Sequence, residues 1–370
     1  MMDATNRDWA EKVAAFVDVF DGKETRDLVA NLTTRVERID IDGAAYPITI
    51  NERHMRGNCY VCDPLAGYID YGIEETRNFA RQPLLQSALV GLIKSAAPLM
   101  RATGLGRVVH VNNWLLSTNP APVIRPQHAT RLRDCILNCY PTHAILVRSL
   151  NDHCDRATIK ALVAAGFELF PSRQVYIFDG RHSPPWKTRD LRRDRRLLFD
   201  TPFQQIRNED FSACDYPRAI ALYNMLYLEK YTRLNPQYTP ECLMRLHQKG
   251  VLHLDGFRDA DGALVAVGGR LQMGGILTQP IVGYDTTRPK KDGLYRLIIA
   301  AAQADAVARG LILNMSAGAA EFKRNRCARA AIEYSAVYAR HLTVTNRAAL
   351  YIVRQLLNRI GVPLMRRFEL

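Results

Sequence analysis

The sequence predicts a mixed α/β protein, with twisted mixed sheets flanked by helices. Three observations point there. Between residues 251 and 285 three extended stretches follow one another, separated by the turns Asp259-Ala-Asp-Gly262 and Gly274-Gly275. That is the spacing of an antiparallel meander. An alanine-rich helical stretch follows at 294–309, and Gly310 stops it before an apolar strand at 311–316. A shorter strand, helix and strand order occurs upstream, at 143–150, 155–165 and 167–178.

The elements follow in order from periodicity and turn chemistry. Trp9, Val13, Phe16, Val17 and Phe20 recur at helical spacing, and Gly22 ends that run. Residues 35–40 and 46–51 read as short strands about the turn Asp42-Gly43. A helix is expected over 84–103, capped at Gly104 and Gly106. The run RVVHVNNWLLS, residues 107–117, reads as a buried strand, with a helix after it at 127–139. Gly166 closes the helix 155–165. Residues 183–203, rich in Pro and Arg, read as a junction, with helices after it at 209–228 and 240–249. In the strand 263–273, Gly268-Gly269 marks a bulge or a close backbone approach, and Pro280 interrupts the ladder of 276–285. The basic loop Arg288-Pro-Lys-Lys-Asp-Gly293 leads into the helix 294–309. A short helix at 319–325 and a strand at 332–340 complete the reading.

Composition removes several function classes. Apolar runs such as 298–302 and 161–167 fall far short of the roughly 20 residues a bilayer requires. The N-terminal stretch lacks a long apolar run, so no secretory signal or membrane span is expected and the cytoplasm is the expected location. Eight cysteines in 370 residues do not make a disulfide framework. Cys59 and Cys62 form the one close pair, with Cys135 and Cys139 a helical turn apart; buried free thiols are expected rather than a metal site. No nucleophile elbow, P-loop or dinucleotide fingerprint occurs. The net charge of +13 favours polyanionic partners, with part of the excess between Lys187 and Arg196. A solvated helix face with internal ion pairs is the simpler reading of that cluster.

Three passages carry a family resemblance. They are VGYDTTRPKKDGLYRLIIAAAQADAVARG, residues 282–310; the strand LILNMSAG after it; and Glu321-Phe-Lys-Arg-Asn-Arg326 before IEYSAVY. In order and character they resemble the GNAT superfamily of acyltransferases, and its Fem-like branch in particular, in which two GNAT units are fused. The resemblance implies tandem GNAT-like units, each a twisted mixed sheet flanked by helices. It divides the chain into an N-terminal extension (1–105), a degenerate unit (106–182), a basic junction (183–202) and a more complete unit (203–370).

It also implies an acyltransferase that moves an acyl group from an activated donor to an amine of a small-molecule or cell-envelope acceptor by direct attack. No cofactor is expected to be tightly bound; acyl-CoA is the favoured co-substrate. Backbone at Ile281, Val282, Gly283 and Tyr284 would lie beside the donor. The loop Arg288, Lys290, Lys291, Asp292, Gly293 and Leu294 would meet its phosphates, since a helix start attracts anions. The loop has one glycine where the family pattern has two, which leaves room for another activated donor. Lys323 would neutralise developing charge on the acyl group. Tyr334, Tyr338 or Tyr284 would protonate the leaving group, and Glu229 would serve as base, with Asp255 and Asp285 as alternatives. The tyrosine-rich segment 223–238 would line the acceptor site. Two further readings stay open: an aminoacyl-tRNA-dependent transferase, favoured by the charge, and a non-catalytic RNA- or partner-binding protein on a GNAT fold.

Overall fold

The computed structural model describes residues 4–79, 83–182 and 188–369. The start of the expected junction, 183–187 with Lys187, lies outside the described residues. Strands run in chain order as β1 (Arg35–Ile41), β2 (Ala44–Asn51), β3 (Val108–Val111), β4 (Ala144–Asn151), β5 (Glu168–Asp179), β6 (Gln204–Ile206), β7 (His253–Arg258), β8 (Leu264–Met273), β9 (Ile276–Tyr284), β10 (Ile312–Asn314) and β11 (Arg329–Tyr338). The chain forms two compact units. The first holds residues 1–174, 234–236 and 332–370, and the second holds 175–233 and 237–331.

In the first unit β1, β2 and β3 form an antiparallel meander, β3 runs parallel to β4, and β4 pairs antiparallel with β11. The β1–β2 turn places Asp42 and Gly43 at φ 51° and 80°, the paired positive angles that a two-residue hairpin matched to strand twist requires. Helix Pro126–Cys139 crosses over from β3 to β4. Every residue of β4 is buried, as a strand covered on both faces must be. One face packs Ile48, Val109, Ile145 and Val147 against Leu132, Ile136 and Leu162. Another cluster joins Leu146 and Val337 to Met100, Leu350 and Val353.

The second unit repeats the scheme. β7, β8 and β9 form an antiparallel meander, helix Leu294–Ala308 crosses over, and β10 runs parallel to β9. β6 extends the sheet beside β7, and β5 pairs antiparallel with β10. Tyr176, Phe178, Leu313 and Ala302 pack on one side; Phe257, Val265, Leu297 and Ile298 fill another cluster.

The units differ from the expected division. Residues 1–105 supply β1 and β2, so they are the first unit's own meander. β11 follows β10 in the chain yet pairs with β4, while β5 follows β4 yet its last residues pair with β10. Each crossover strand is thus flanked by a strand from later or earlier in the sequence, which no local pattern can foretell.

Other differences have local causes. The strand expected over 107–117 stops at Val111, because Asn112 takes a φ of 56° and its carboxamide accepts from Trp114 Nε1 at 2.8 Å. The junction holds a real helix, Arg189–Asp200, capped by Thr188 accepting from Leu191 N at 3.2 Å. The helices Val344–Leu356 and Val362–Phe368 were not anticipated. The expected absence of a membrane-length helix also needs correction: Pro83–Ala102, 20 residues, is long and apolar enough to cross a bilayer by length and composition, and 11% of that stretch is buried. Short apolar runs concealed it, because Gln86, Ser87, Lys94 and Ser95 break the string without making the helix polar.

Candidate functional site

In the second unit β9 and β10 run side by side and then part. β10 pairs with β9 only from Ile276 to Thr278. Beyond that point β9 keeps β8 alone, with Ile281 opposite Gly269, Val282 opposite Gly268, Gly283 opposite Val267 and Tyr284 opposite Ala266. A bulge between Gly269 and Leu271 absorbs Gln279 and Pro280. Proline has no N–H to give, and it stands where β10 no longer needs one. From Gln279 to Tyr284 the edge of β9 away from β8 therefore has no ladder partner among the described residues. Gly283 admits helix Asp215–Asn224 onto this stretch: a Cβ there would lie 2.5 Å from Tyr223 N and 2.7 Å from Leu222 C.

The loop after β9 delivers a helix start beside it. Asp285 is braced by Thr287 N and Oγ1, at 3.0 and 2.6 Å, and by Arg218 Nη2 at 2.9 Å. Burial alone would raise its pKa; these donors prevail and hold it below the usual carboxylate range. Lys290–Asp292 forms one 3-10 turn, and Gly293 follows at φ 68°, where a Cβ would meet Leu197 Cδ2 at 2.7 Å. The first helical bond runs from Leu297 N to Gly293 O at 2.9 Å. The amides of Leu294, Tyr295 and Arg296 precede it and are turned toward the helix entrance.

The charges of this loop are unequal. Arg288 is ion-paired to Asp259, and its guanidinium lies 5.8 Å from the Phe203 ring centre. Arg296 Nε is held by Asp194 Oδ1 at 2.7 Å. Lys290 and Lys291 are exposed and make no ion pair among the described residues. The Arg288 charge expected to face a phosphate is thus engaged by Asp259, which leaves Lys290 and Lys291 as the exposed cations of the loop.

Aromatic rings crowd the same part of the unit. Tyr223 stacks on Tyr227 at 4.7 Å, and Tyr238 and Tyr231 continue the row at 5.4 and 6.3 Å. Tyr284 meets Tyr295 at 5.9 Å, and Tyr295 meets Phe322 at 5.0 Å. Burial, then the neighbouring Tyr231 and Tyr284, raise the Tyr295 hydroxyl well above its ordinary pKa. The segment 223–238 thus forms part of a longer aromatic belt. Tyr295 was missed because it stands alone in an apolar helical pattern; Phe322 was noted beside Lys323 but not as part of this row.

Lys323 is neither an exposed helix lysine nor an open cation. It is 3% exposed. Its Nζ donates to the carbonyls of Met315, Ser316 and Ala317 at 2.6, 3.1 and 2.7 Å and lies 5.6 Å from the Tyr176 ring centre. An ammonium has three protons, and three carbonyls claim them. The turn it grips is unusual: Ser316 and Ala319 adopt φ of 59° and 48°, about 1 kcal/mol each for a residue with a Cβ. As found, Lys323 positions the turn after β10.

The remaining candidates separate. Tyr334 and Tyr338 belong to the first unit, not to the unit that carries the loop 288–294. Tyr338 packs between Phe167 at 5.5 Å and His341 at 5.8 Å. Burial, and then Asp152, raise the pKa of Tyr334. Glu229 is exposed at the end of a π-helical turn, Met225–Glu229. Asp255 is buried in β7, 3.0 Å from Arg270, which also reaches Asp305 at 3.0 Å. Burial pushes its pKa up to about 6. Neither of its carboxylate oxygens makes a hydrogen bond among the described residues, and its burial in the strand keeps it from an incoming acceptor.

Two buried ion-pair clusters were not legible in the sequence. In the second unit Arg326 Nε bonds Asp194 Oδ2 at 2.5 Å, joining the helix Arg189–Asp200 to the segment after Lys323. In the first unit Arg173 holds Glu333 at 2.9 and 3.2 Å, and Arg148 Nη1 donates to Val61 O at 2.7 Å beside Tyr60. Pairs this distant in sequence give no motif. Cys59 and Cys62 are buried thiols, and burial pushes Cys59 up to about 12. Among the described residues no three His, Cys, Asp or Glu side chains gather as a metal site would require.

No protein-family model matches the chain, and no curated protein does. Solved structures do. FemX aligns over 96% of this chain and 99% of its own, with a TM-score of 0.54 and 8% identity. The C-terminal domain (DUF2156) of a putative lysylphosphatidylglycerol synthetase from Agrobacterium fabrum aligns over 94% of this chain and 96% of its own, with a TM-score of 0.50 and 12% identity. A tandem GNAT protein from the clavulanic acid biosynthesis pathway matches more loosely, over 62% of this chain and 75% of its own, with a TM-score of 0.37 and 11% identity. At such identities the likeness is one of fold. The chain has the GNAT-type fold in its Fem-like form.

Proposed function

We propose that this chain is an acyltransferase that carries an acyl group from acyl-CoA to an amine of a small-molecule or cell-envelope acceptor. One observation carries the reading: the unpaired edge of β9 from Gln279 to Tyr284 lies in the same unit as a helix entrance flanked by Lys290 and Lys291. Backbone amides along that edge would hold the pantetheine arm and the acyl carbonyl. The helix start and the two lysines would take the pyrophosphate. The neutral amine nitrogen attacks the thioester carbonyl, a C–N bond forms and the C–S bond breaks. The amine's proton passes to solvent, and the Tyr284 hydroxyl protonates the thiolate and recovers a proton from water. The aromatic belt from Tyr223 to Phe322 would line the acceptor site. Lys323 acts through the turn 315–317. A cytoplasmic site of action accords with a thioester donor.

A second reading, transfer from an aminoacyl-tRNA, draws on the exposed arginines 189, 192, 193, 195 and 196 of the helix Arg189–Asp200. Thermal unfolding separates the two, because a ligand that binds the native state raises Tm. A shift with coenzyme A or acetyl-CoA that K290A/K291A removes is expected. A shift with bulk tRNA alone transfers the assignment to the second reading. No shift with either ligand points to a non-catalytic GNAT fold.

A further inference from the structure

Helix Pro83–Ala102 belongs to the first unit and is held there by one side only. Ala97 and Met100 are buried in the cluster that also contains Leu350 and Val353. The opposite side faces outward: Leu84 is 87% exposed and Leu92 is 47% exposed, and with Ala88 they form a line at four-residue spacing. The neighbouring C-terminal helix does the same. Asn346 Nδ2 donates to Ala102 O at 2.9 Å, tying the two helices together. Leu350 and Val353 point into the core, while Tyr351, Ile352, Leu356 and Ile360 are exposed at 57%, 46%, 39% and 41%. Large apolar side chains so grouped are uncommon on a surface that meets only water.

The charge carried by these two helical segments has one sign. Lys94 and Arg101 lie on the first helix; Arg347, Arg354, Arg359, Arg366 and Arg367 lie on Val344–Leu356 and its continuation to Phe368. Neither segment contains an aspartate or glutamate. Arg354 is paired with Glu168 at 3.0 Å, while Lys94, Arg101, Arg347, Arg359, Arg366 and Arg367 are exposed. An apolar stripe whose own helices carry only cations, with Glu168 paired to one of them, matches an anionic lipid surface, where side chains enter the acyl boundary and arginines meet headgroup phosphates.

We propose that these two helices dock the first unit on an anionic bilayer, lying in its interface. A spanning role is disfavoured, although Pro83–Ala102 has the length: its Ala97 and Met100 side is committed to the protein core, and lipid would have to replace that packing. The occupant is therefore a lipid surface, met on one side. This inference goes beyond the transferase reading and does not depend on which donor is used.

Flotation of the full chain with vesicles tests it. Vesicles of equal parts phosphatidylcholine and phosphatidylglycerol should carry the protein, pure phosphatidylcholine should carry little, and binding should weaken as salt is raised. The quadruple variant L84S/L92S/I352S/L356S changes only exposed positions and should keep its Tm while losing at least about tenfold in binding. R359Q/R366Q/R367Q should lose the preference for phosphatidylglycerol. No binding of the unaltered protein to the anionic vesicles overturns the proposal. So does equal binding by the quadruple variant. A concentration-dependent dimer that the quadruple variant abolishes, without any vesicle binding, assigns the surface to a second copy and also overturns it.

Discussion

Lys323 stands for the residue scale. Its motif suggested a cation waiting for charge to develop, but the folded chain supplies three carbonyls at hydrogen-bond distance first. The expected result of Lys323→Ala is therefore a loss of stability, about 3 kcal/mol, as three buried carbonyls lose their donor. Calorimetry of the variant checks this. A variant with unchanged Tm and lost turnover would return the lysine to the chemistry. The position and its aromatic neighbour could be read from the sequence. Its saturation could not, because the carbonyls belong to a turn whose left-handed residues, Ser316 and Ala319, have no glycine to announce them. Arg288 illustrates the same limit: its basic loop was legible, while its partner Asp259 lies in a hairpin turn earlier in the chain.

At the scale of elements, the meander 251–285 and the helix 294–308 were read closely, because glycine turns and helical periodicity are local signals. Gly268, Gly269 and Pro280 were expected to disturb the strand pairing, and the bulge with its parted strand is their structural result. Gly283 gave no such warning. Its need for a bare Cα comes from helix Asp215–Asn224 crossing on top of it. Gly283→Ala would place a methyl group 2.5 Å from Tyr223 N, so the helix must lift away from β9. A fall in Tm of several degrees is expected, with a larger fall in coenzyme A binding than K290A alone gives. Differential scanning fluorimetry with and without the ligand reads both. Unchanged values would mean that the helix has slack at this point. The helix Pro83–Ala102 was placed correctly by pattern, yet its exposed side was invisible, since apolar periodicity does not say which face the core will claim.

At the scale of the whole molecule, the repeated scheme of meander, crossover helix and parallel strand was foreseen as tandem units, but the membership was not. The first unit takes its strands from both ends of the chain, β1 and β2 from one and β11 from the other. A chain ended at Ala331 would leave β4 without its partner from Glu333 to Tyr338, and would remove Leu350 and Val353 from the core. Hydrogen exchange of such a truncation should show the first unit unprotected while β7, β8 and β9 keep slow amides. Protection of β3 and β4 equal to that of the full chain would show that β11 is dispensable.

The same late strand sets an order of events during synthesis. Domains fold as their residues leave the ribosome, and the part of β11 that belongs to the first unit, from Ile332 on, emerges after every residue of the second unit. The internal unit can therefore close while its elder neighbour still waits, with the wholly buried strand Ala144–Asn151 lacking one flank. A nascent chain stalled near residue 331 is then half finished at its beginning rather than at its end, and this is the point in its life at which a chaperone would have most to hold.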